Sequence, residues 1–293
     1  MKDFTQRILK YIHIVENMNI RSSKVLQGLF AGLHRSPYLG FSADFEDHRQ
    51  YNPGDNIKLI NWPLWGRTEK LFIKRFKEDT NATVHIMVDS TLSMDYGKEM
   101  NNKHQMAKEL AVLLYLLFTR QNDRVVLSSF SDNFDFVFSA SGRKEHNFFI
   151  DTVSGLNPRG TSTFYSCMEE FQKKVKRRSI VILISDLIFS PDDLKKGLGI
   201  LTHSGHDIIA LQLLTAEELG IIPLTPGFYF DPEHRTKKSF SKGEDLQKRS
   251  LEWQQTVEKS CIDMMVKRIM ISTASDPLEV LLKLSAGAVN GVS

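Results

Sequence analysis

The chain alternates between short apolar runs and longer stretches whose apolar residues recur three and four positions apart. Thr83-Val84-His85-Ile86-Met87-Val88 runs into Asp89, and Ile180 to Ile184 is apolar throughout before Ser185 and Asp186. Such runs predict strands, and the unbroken second one predicts a parallel strand buried on both faces. Between them Met106, Leu110, Leu113, Leu114 and Leu117 form one stripe, which predicts a helix near 103–121. Val125 to Phe130 and Phe134 to Phe138 flank Ser131-Asp132-Asn133 and predict a hairpin. Helices are expected near 144–154, 163–176 and 191–203, and a strand at 208–214. Alternation of this kind predicts an α/β fold with a doubly wound, mostly parallel sheet.

The two ends differ from this centre. Ile8, Leu9, Ile12 and Val15 predict a helix over 5–17, and Val25, Leu26, Leu29 and Phe30 a second one. From Gly32 to about Thr80 the pattern is irregular and strand-like, with turns at Ser36-Pro37 and Asn52-Pro53-Gly54-Asp55. We therefore expect an N-terminal helical and β-rich subdomain over 1–80 and a main domain over 81–290. Towards the C-terminus, Gly227 to Asp231 is expected as a further strand of the same sheet, followed by a solvated loop over 232–244. A helix over 245–265, a last strand at 268–272 and a helix opened by Asp276-Pro277 complete the pattern.

Chemistry gathers where strands end. Asp89, Thr91 and Ser93 alternate directly after the first strand and offer three hard oxygens. Open α/β sheets bind ligands beyond the carboxyl ends of their strands. Oxygen donors of this kind suit Mg²⁺, Mn²⁺ or Ca²⁺. Arg159-Gly160-Thr161-Ser162-Thr163 brings further hydroxyls before a helix, and Ser185-Asp186 ends the second strand. Taken singly, each piece is an ordinary turn or helix cap. Together, in this order, they resemble the metal-ion-dependent adhesion site of von Willebrand factor A domains. The resemblance assigns Asp89, Thr91 and Ser93 to the first loop, Thr161 to the second and Asp186 to the third. It implies that the hydroxyls bind the ion directly and the carboxylates partly through water, with a partner's acidic residue completing the shell. Thr91 stands where that family usually has serine.

A second cluster lies upstream, Arg49-Gln50-Tyr51-Asn52-Pro53-Gly54-Asp55 continuing to Asn61-Trp62-Pro63-Leu64-Trp65-Gly66-Arg67. Pro-Gly suits the centre of a type II turn, and the planar donors and aromatic faces suit stacking and bidentate pairing. Arg49, Tyr51, Pro53, Gly54, Asp55, Ile60, Trp62 and Arg67, with Phe230-Asp231-x-Glu233, resemble domain-of-unknown-function family 58, whose fold is von Willebrand A-like. That likeness covers about residues 35–285. Many relatives carry two N-terminal membrane spans, which have no counterpart here, and soluble members are usually encoded beside MoxR-type AAA+ ATPases. The cluster reads either as a staple for the N-terminal subdomain or as a partner-docking surface.

Composition excludes more than it adds. The formal net charge is +3 with 25% charged residues, so bulk charge makes no case for nucleic acid. Two distant cysteines, Cys167 and Cys261, read as reduced thiols, and no apolar run is long enough to span a bilayer. A soluble cytoplasmic protein is the expectation. No phosphate-binding Gly-x-x-x-x-Gly-Lys-Ser/Thr motif occurs and the nine histidines lack zinc spacing. The basic run Lys173 to Arg178 reads as a solvated helix end, without interleaved aromatic residues. His85 reads as a packed residue.

Two function classes follow. The first is a non-enzymatic, metal-dependent interaction module serving a MoxR-type AAA+ ATPase or its client. The alternative is a Mg²⁺-dependent phosphoryl-transfer enzyme with Asp89 as nucleophile and Asp186 as metal ligand. Against the latter, Thr91 occupies the place of the usual acid, and no lysine or arginine is obvious as a phosphate clamp.

Overall fold

The computed structural model describes residues 2–17, 41–52, 60–80, 83–97, 101–120, 123–141, 145–161, 163–221, 227–231, 236–240 and 243–286. Two compact units emerge, Met1–Pro37 with Thr83–Ser293, and Tyr38–Ala82.

The larger unit is built on a six-stranded sheet. Its strands are β3 (Thr83–Asp89), β4 (Arg124–Phe130), β5 (Phe134–Ser141), β6 (Ile180–Ser185), β7 (Asp207–Leu214) and β10 (Lys267–Ser272). Their spatial order is β10-β7-β6-β3-β4-β5, with every neighbour parallel except the antiparallel edge strand β5. Strands β3 and β6 are buried along nearly their whole length, as their apolar runs require. The expected doubly wound, mostly parallel sheet is therefore present.

Helices cover both faces. Helix α3 (Lys103–Thr119) is capped by Asn102, whose side chain accepts from the Gln105 amide, and packs on one face beside α1 (Lys2–Asn17), α4 (His146–Ser154) and α8 (Pro277–Ala286). On the other face α5 (Phe164–Lys174), α6 (Pro191–His203) and α7 (Gly243–Asp263) bury a core of Met87, Phe134, Phe171, Leu183, Leu198 and Val257 among others. Winding runs from β3 towards β4 and β5 on one side and through β6, β7 and β10 on the other. The carboxyl ends of β3 and β6 thus flank the point where it reverses, the place where such sheets bind ligands.

Close approach of α5 to α6 depends on Gly197, where a Cβ would overlap the Phe164 ring. That ring stacks on Phe189 at 4.6 Å between centroids. Gly197→Ala is expected to lower stability by about 1–3 kcal/mol through overpacking, measurable as a shift in the urea midpoint at unchanged slope.

The ends depart from expectation in three places. Gly227 to Asp231 forms β8, which pairs with β9 (Thr236–Phe240) as a separate antiparallel hairpin, not with the main sheet. Strand β9 also falls inside the segment expected to be a solvated loop. Thirdly, α1 clusters with the sheet unit, which it joins by packing on α3 and by the 2.9 Å hydrogen bond from the Arg120 guanidinium to the Val15 carbonyl. Residues Val25 to Phe30, expected to be helical, lie outside the described residues.

The smaller unit holds β1 (Phe41–Gln50) and β2 (Phe72–Thr80), paired antiparallel, and a short helix α2 (Trp62–Thr68) where only irregular structure was expected. Asn61 explains α2: its side chain accepts from the Leu64 amide at 3.2 Å, and Pro63 sits in the first turn.

Candidate metal centre at the carboxyl edge of the sheet

Asp89 is the last residue of β3, and the adjacent, parallel β6 ends at Ser185, one residue before Asp186. The register brings the two carboxylates together at the winding reversal. Asp89 accepts the Thr91 amide at 2.9 Å and the Ser185 hydroxyl at 2.6 Å, so both its oxygens are engaged. Thr91 and Ser93 hydroxyls meet at 3.0 Å across a single turn of 3₁₀ helix at Leu92–Met94. Asp89, Thr91 and Asp186 are fully buried and Ser93 is half-buried. The loop nears the surface only from Leu92 and Ser93 onwards.

Thr161 lies on a second loop that is zipped to the first. The Arg159 amide donates to the Ser90 carbonyl at 2.7 Å, and the Leu92 amide to the Gly160 carbonyl at 3.3 Å. Gly160 has φ +67°, and a Cβ there would overlap the Asp132 carboxylate. Glycine is thus required both by the left-handed backbone and by the close carboxylate. Asp132, at the β4–β5 hairpin tip, accepts the Thr161 amide at 2.6 Å and its hydroxyl at 3.3 Å. Among the described contacts, the Thr161 hydroxyl is directed to Asp132.

Asp186 has a partner that sequence reasoning missed. The ammonium of Lys103, the first residue of α3, lies 3.0 Å from buried Asp186 and 2.7 Å from half-buried Glu218. Burial alone would lower the lysine pKa, but the two carboxylates outweigh it and hold Lys103 above its ordinary value. A lysine at the site, not obvious from spacing, is therefore present, though committed to two carboxylates. The other Asp186 oxygen accepts the Ile188 amide at 3.0 Å. Beneath the loop, Ser129 donates to the Ser90 hydroxyl at 3.1 Å, which meets His104 Nε2 at 3.3 Å. Burial, aided by Lys108, pushes the His104 pKa down to about 3 and keeps the ring neutral.

The first loop gathers candidate oxygen donors for a hard divalent cation in Asp89, Thr91 and Ser93. Burial, then the charge of Asp186, pushes the Asp89 carboxyl up to about 7. Fully ionised, Asp89, Asp186 and Glu218 carry three negative charges against the single ammonium of Lys103. The 3.0 Å between the Thr91 and Ser93 hydroxyls also matches the spacing of about 3 Å between adjacent oxygens on Mg²⁺ at about 2.1 Å. Asp186 and Thr161 are instead engaged by Lys103 and Asp132. No group of three or more His, Cys, Asp or Glu poised for a metal occurs among the described residues.

In the smaller unit, Arg49 pairs in register with Ile73, and the Tyr51 amide donates to the Leu71 carbonyl at 2.9 Å. Trp62 and Trp65 are both exposed and meet edge to face at 6.2 Å, with exposed Arg67 in the last turn of α2. Gly54 and Asp55 lie outside the described residues.

A family model described as "Protein of unknown function DUF58" matches residues 47–259. The uncharacterized protein Rv1480 of Mycobacterium tuberculosis is 20% identical over 231 residues, covering 78% of this chain and 72% of its own length. Among solved structures, the conserved hypothetical protein BatB from Bacteroides thetaiotaomicron is similar at 15% identity and TM-score 0.42, over 71% of this chain and 98% of that one. The VWA domain of SpRpn10 is similar at 14% identity and TM-score 0.43, over 72% and 98%.

Proposed function

The chain belongs to the family of proteins of unknown function DUF58, and from that premise we propose that it is a non-enzymatic module that captures a protein partner through a divalent cation at the β3 edge. The observation that carries this reading is the buried Asp89 carboxylate, raised by burial and by Asp186, beside paired Thr91 and Ser93 hydroxyls. Asp89, Thr91 and Ser93 would hold the ion, with Asp186 and Thr161 bordering it. Bound there, Mg²⁺ or a similar hard cation supplies a coordination position that a partner's carboxylate can fill.

The protein's own residues prepare that position. The Thr91 amide and Ser185 hydroxyl aim the Asp89 carboxylate, and the Arg159–Ser90 and Leu92–Gly160 hydrogen bonds fix the two loops together. Lys103 gives Asp186 a counter-charge at 3.0 Å from within the protein. Ser93 and exposed Thr161 form the rim that a partner would meet.

The phosphoryl-transfer alternative fits less well. Asp89 has no exposed surface, and in-line attack would require a whole phosphate ester to reach it, a larger demand than admitting a bare ion. Lys103, the cation at hand, is already held by two carboxylates. On the resemblance of the Arg49 to Arg67 segment, we assign the partner as a MoxR-type AAA+ ATPase or its client, with Trp62 and Trp65 as a second contact. We place that work in the cytoplasm. The two buried free thiols accord with a reducing compartment, and no helix among the described residues is long and apolar enough to cross a membrane.

The test is capture from a native lysate by wild type and Asp89→Ala, each with Mg²⁺ or EDTA. A partner retained only by wild type with Mg²⁺ is expected. Equal retention in EDTA and by the variant would refute the metal-dependent reading.

A further inference from the structure

At the opposite edge of the sheet, the amino ends of β3 and β4, the strand β5 and the end of α5 border an open groove of about 490 Å³. Arg124, Lys174, Lys176 and Arg177 line it, and no carboxylate does among the described residues. The basic run expected to be a plain solvated helix end thus divides by role. Arg178 is held bidentately by Asp207 at 2.8 and 3.2 Å, whereas Lys176 and Arg177 are exposed and make no ion pair among the described residues.

Aromatic residues reach this groove from a different element. A register shift in the β4–β5 pairing, opposite Val137, places Phe136 and Phe138 on opposite faces of the sheet: Phe138 packs on Tyr115, while Phe136 lies near Phe171 and His85. Phe136 remains 41% exposed, and the Lys174 ammonium sits 5.5 Å above both the Phe134 and Phe136 rings. Lys174 also meets Glu170 at 2.6 Å, so a carboxylate already sits at this rim. His85 forms the recess: it is 4% exposed and its Nδ1 has no hydrogen-bond partner. Burial, aided by His206 and Arg124, lowers its pKa to about 4, so the ring is neutral at pH 7.

We propose that this groove is a second binding site, which docks an acidic, aromatic-containing peptide segment of a protein partner. Carboxylates would pair with Arg124, Lys176 and Arg177, and an aromatic or apolar side chain would lie on Phe136 beside the His85 ring edge. The extended form suits the location, since β5 is the terminal strand of the sheet and edge strands present unpaired backbone groups. A polynucleotide fits less well, because it needs cations tracking several successive phosphates. Here four cations line one short groove among the described residues, on a chain of net charge +3.

The experiment is fluorescence anisotropy with fluorescein-labelled Glu-Glu-Phe-Glu-Glu-Phe-Glu-Glu, and with labelled oligothymidylate as the competing class. Wild type is expected to bind the peptide more tightly than the oligonucleotide, equally in Mg²⁺ and in EDTA. That insensitivity separates this site from the metal centre, so the two readings fail independently. The double variant Lys176→Glu/Arg177→Glu is expected to bind at least tenfold more weakly, and Phe136→Ser several-fold more weakly. Raised salt should weaken wild type in parallel. Peptide binding unchanged by the double variant, tighter oligothymidylate binding, or no binding of the peptide by wild type would each overturn the proposal.

Discussion

Lys103→Met is expected to lower stability by about 3–5 kcal/mol in EDTA, because it strips two carboxylates of their shared buried counter-charge. The ammonium is 1% exposed and lies 3.0 Å from Asp186 and 2.7 Å from Glu218. Methionine keeps most of the volume, so the loss reports charge more than cavity formation. Urea denaturation at pH 7.5 measures it. Adding Asp186→Asn and Glu218→Gln to Lys103→Met should recover most of the loss, since the two carboxylates that Lys103 neutralised are then gone. Mg²⁺ should stabilise Lys103→Met more than wild type if ion and ammonium neutralise the same carboxylates. A loss below about 1 kcal/mol would mean that water, not lysine, satisfies Asp186.

That lysine also marks where the sequence stops being legible. Strands β3 and β6 were readable because apolar runs end in Asp89 and Ser185-Asp186, and parallel pairing then forces those ends together. The α3 stripe was readable from its leucines. Lys103 was not, because it meets Glu218 across 115 positions and stands at a helix N-terminus, where the dipole disfavours a cation. Tertiary charge pairing overrides that local preference. Asp132 was hidden similarly: in sequence it is a turn residue, and only Gly160's left-handed backbone brings Thr161 onto it. The groove aromatic residues escaped notice because they lie on β5, some forty positions before the basic run, rather than within it. Strand β9 was missed because its Lys-Lys-Ser centre has no apolar alternation to announce a strand.

Asp89 gives the other large effect, an Mg²⁺ affinity that falls about tenfold for each pH unit below 7 and is level above it. Its carboxyl is pushed up to about 7 by burial and then by Asp186, so below that pH an ion must displace a proton. Calorimetry in buffers of different ionisation enthalpy should register close to one proton released per ion at pH 6 and almost none at pH 8. An affinity independent of pH between 6 and 8 would remove Asp89 from the ion's ligands. Linkage sets the sign for stability without metal. A carboxyl that titrates near 3.9 when unfolded and near 7 when folded favours the folded state fully below pH 4. That contribution is lost as pH rises to 7, at about 1.4 kcal/mol per unit. His85, His104 and His206 act oppositely, since burial lowers each pKa and stability falls as they charge in acid. Wild-type stability alone would therefore mask Asp89, and the informative quantity is its difference from Asp89→Asn. The asparagine carbonyl can keep the Thr91 amide while its NH₂ donates to Ser185, so hydrogen bonding is retained and the proton is not. Metal-free Asp89→Asn should gain on wild type steadily from pH 4 to 7, because it has no carboxyl at position 89 to ionise in the buried site.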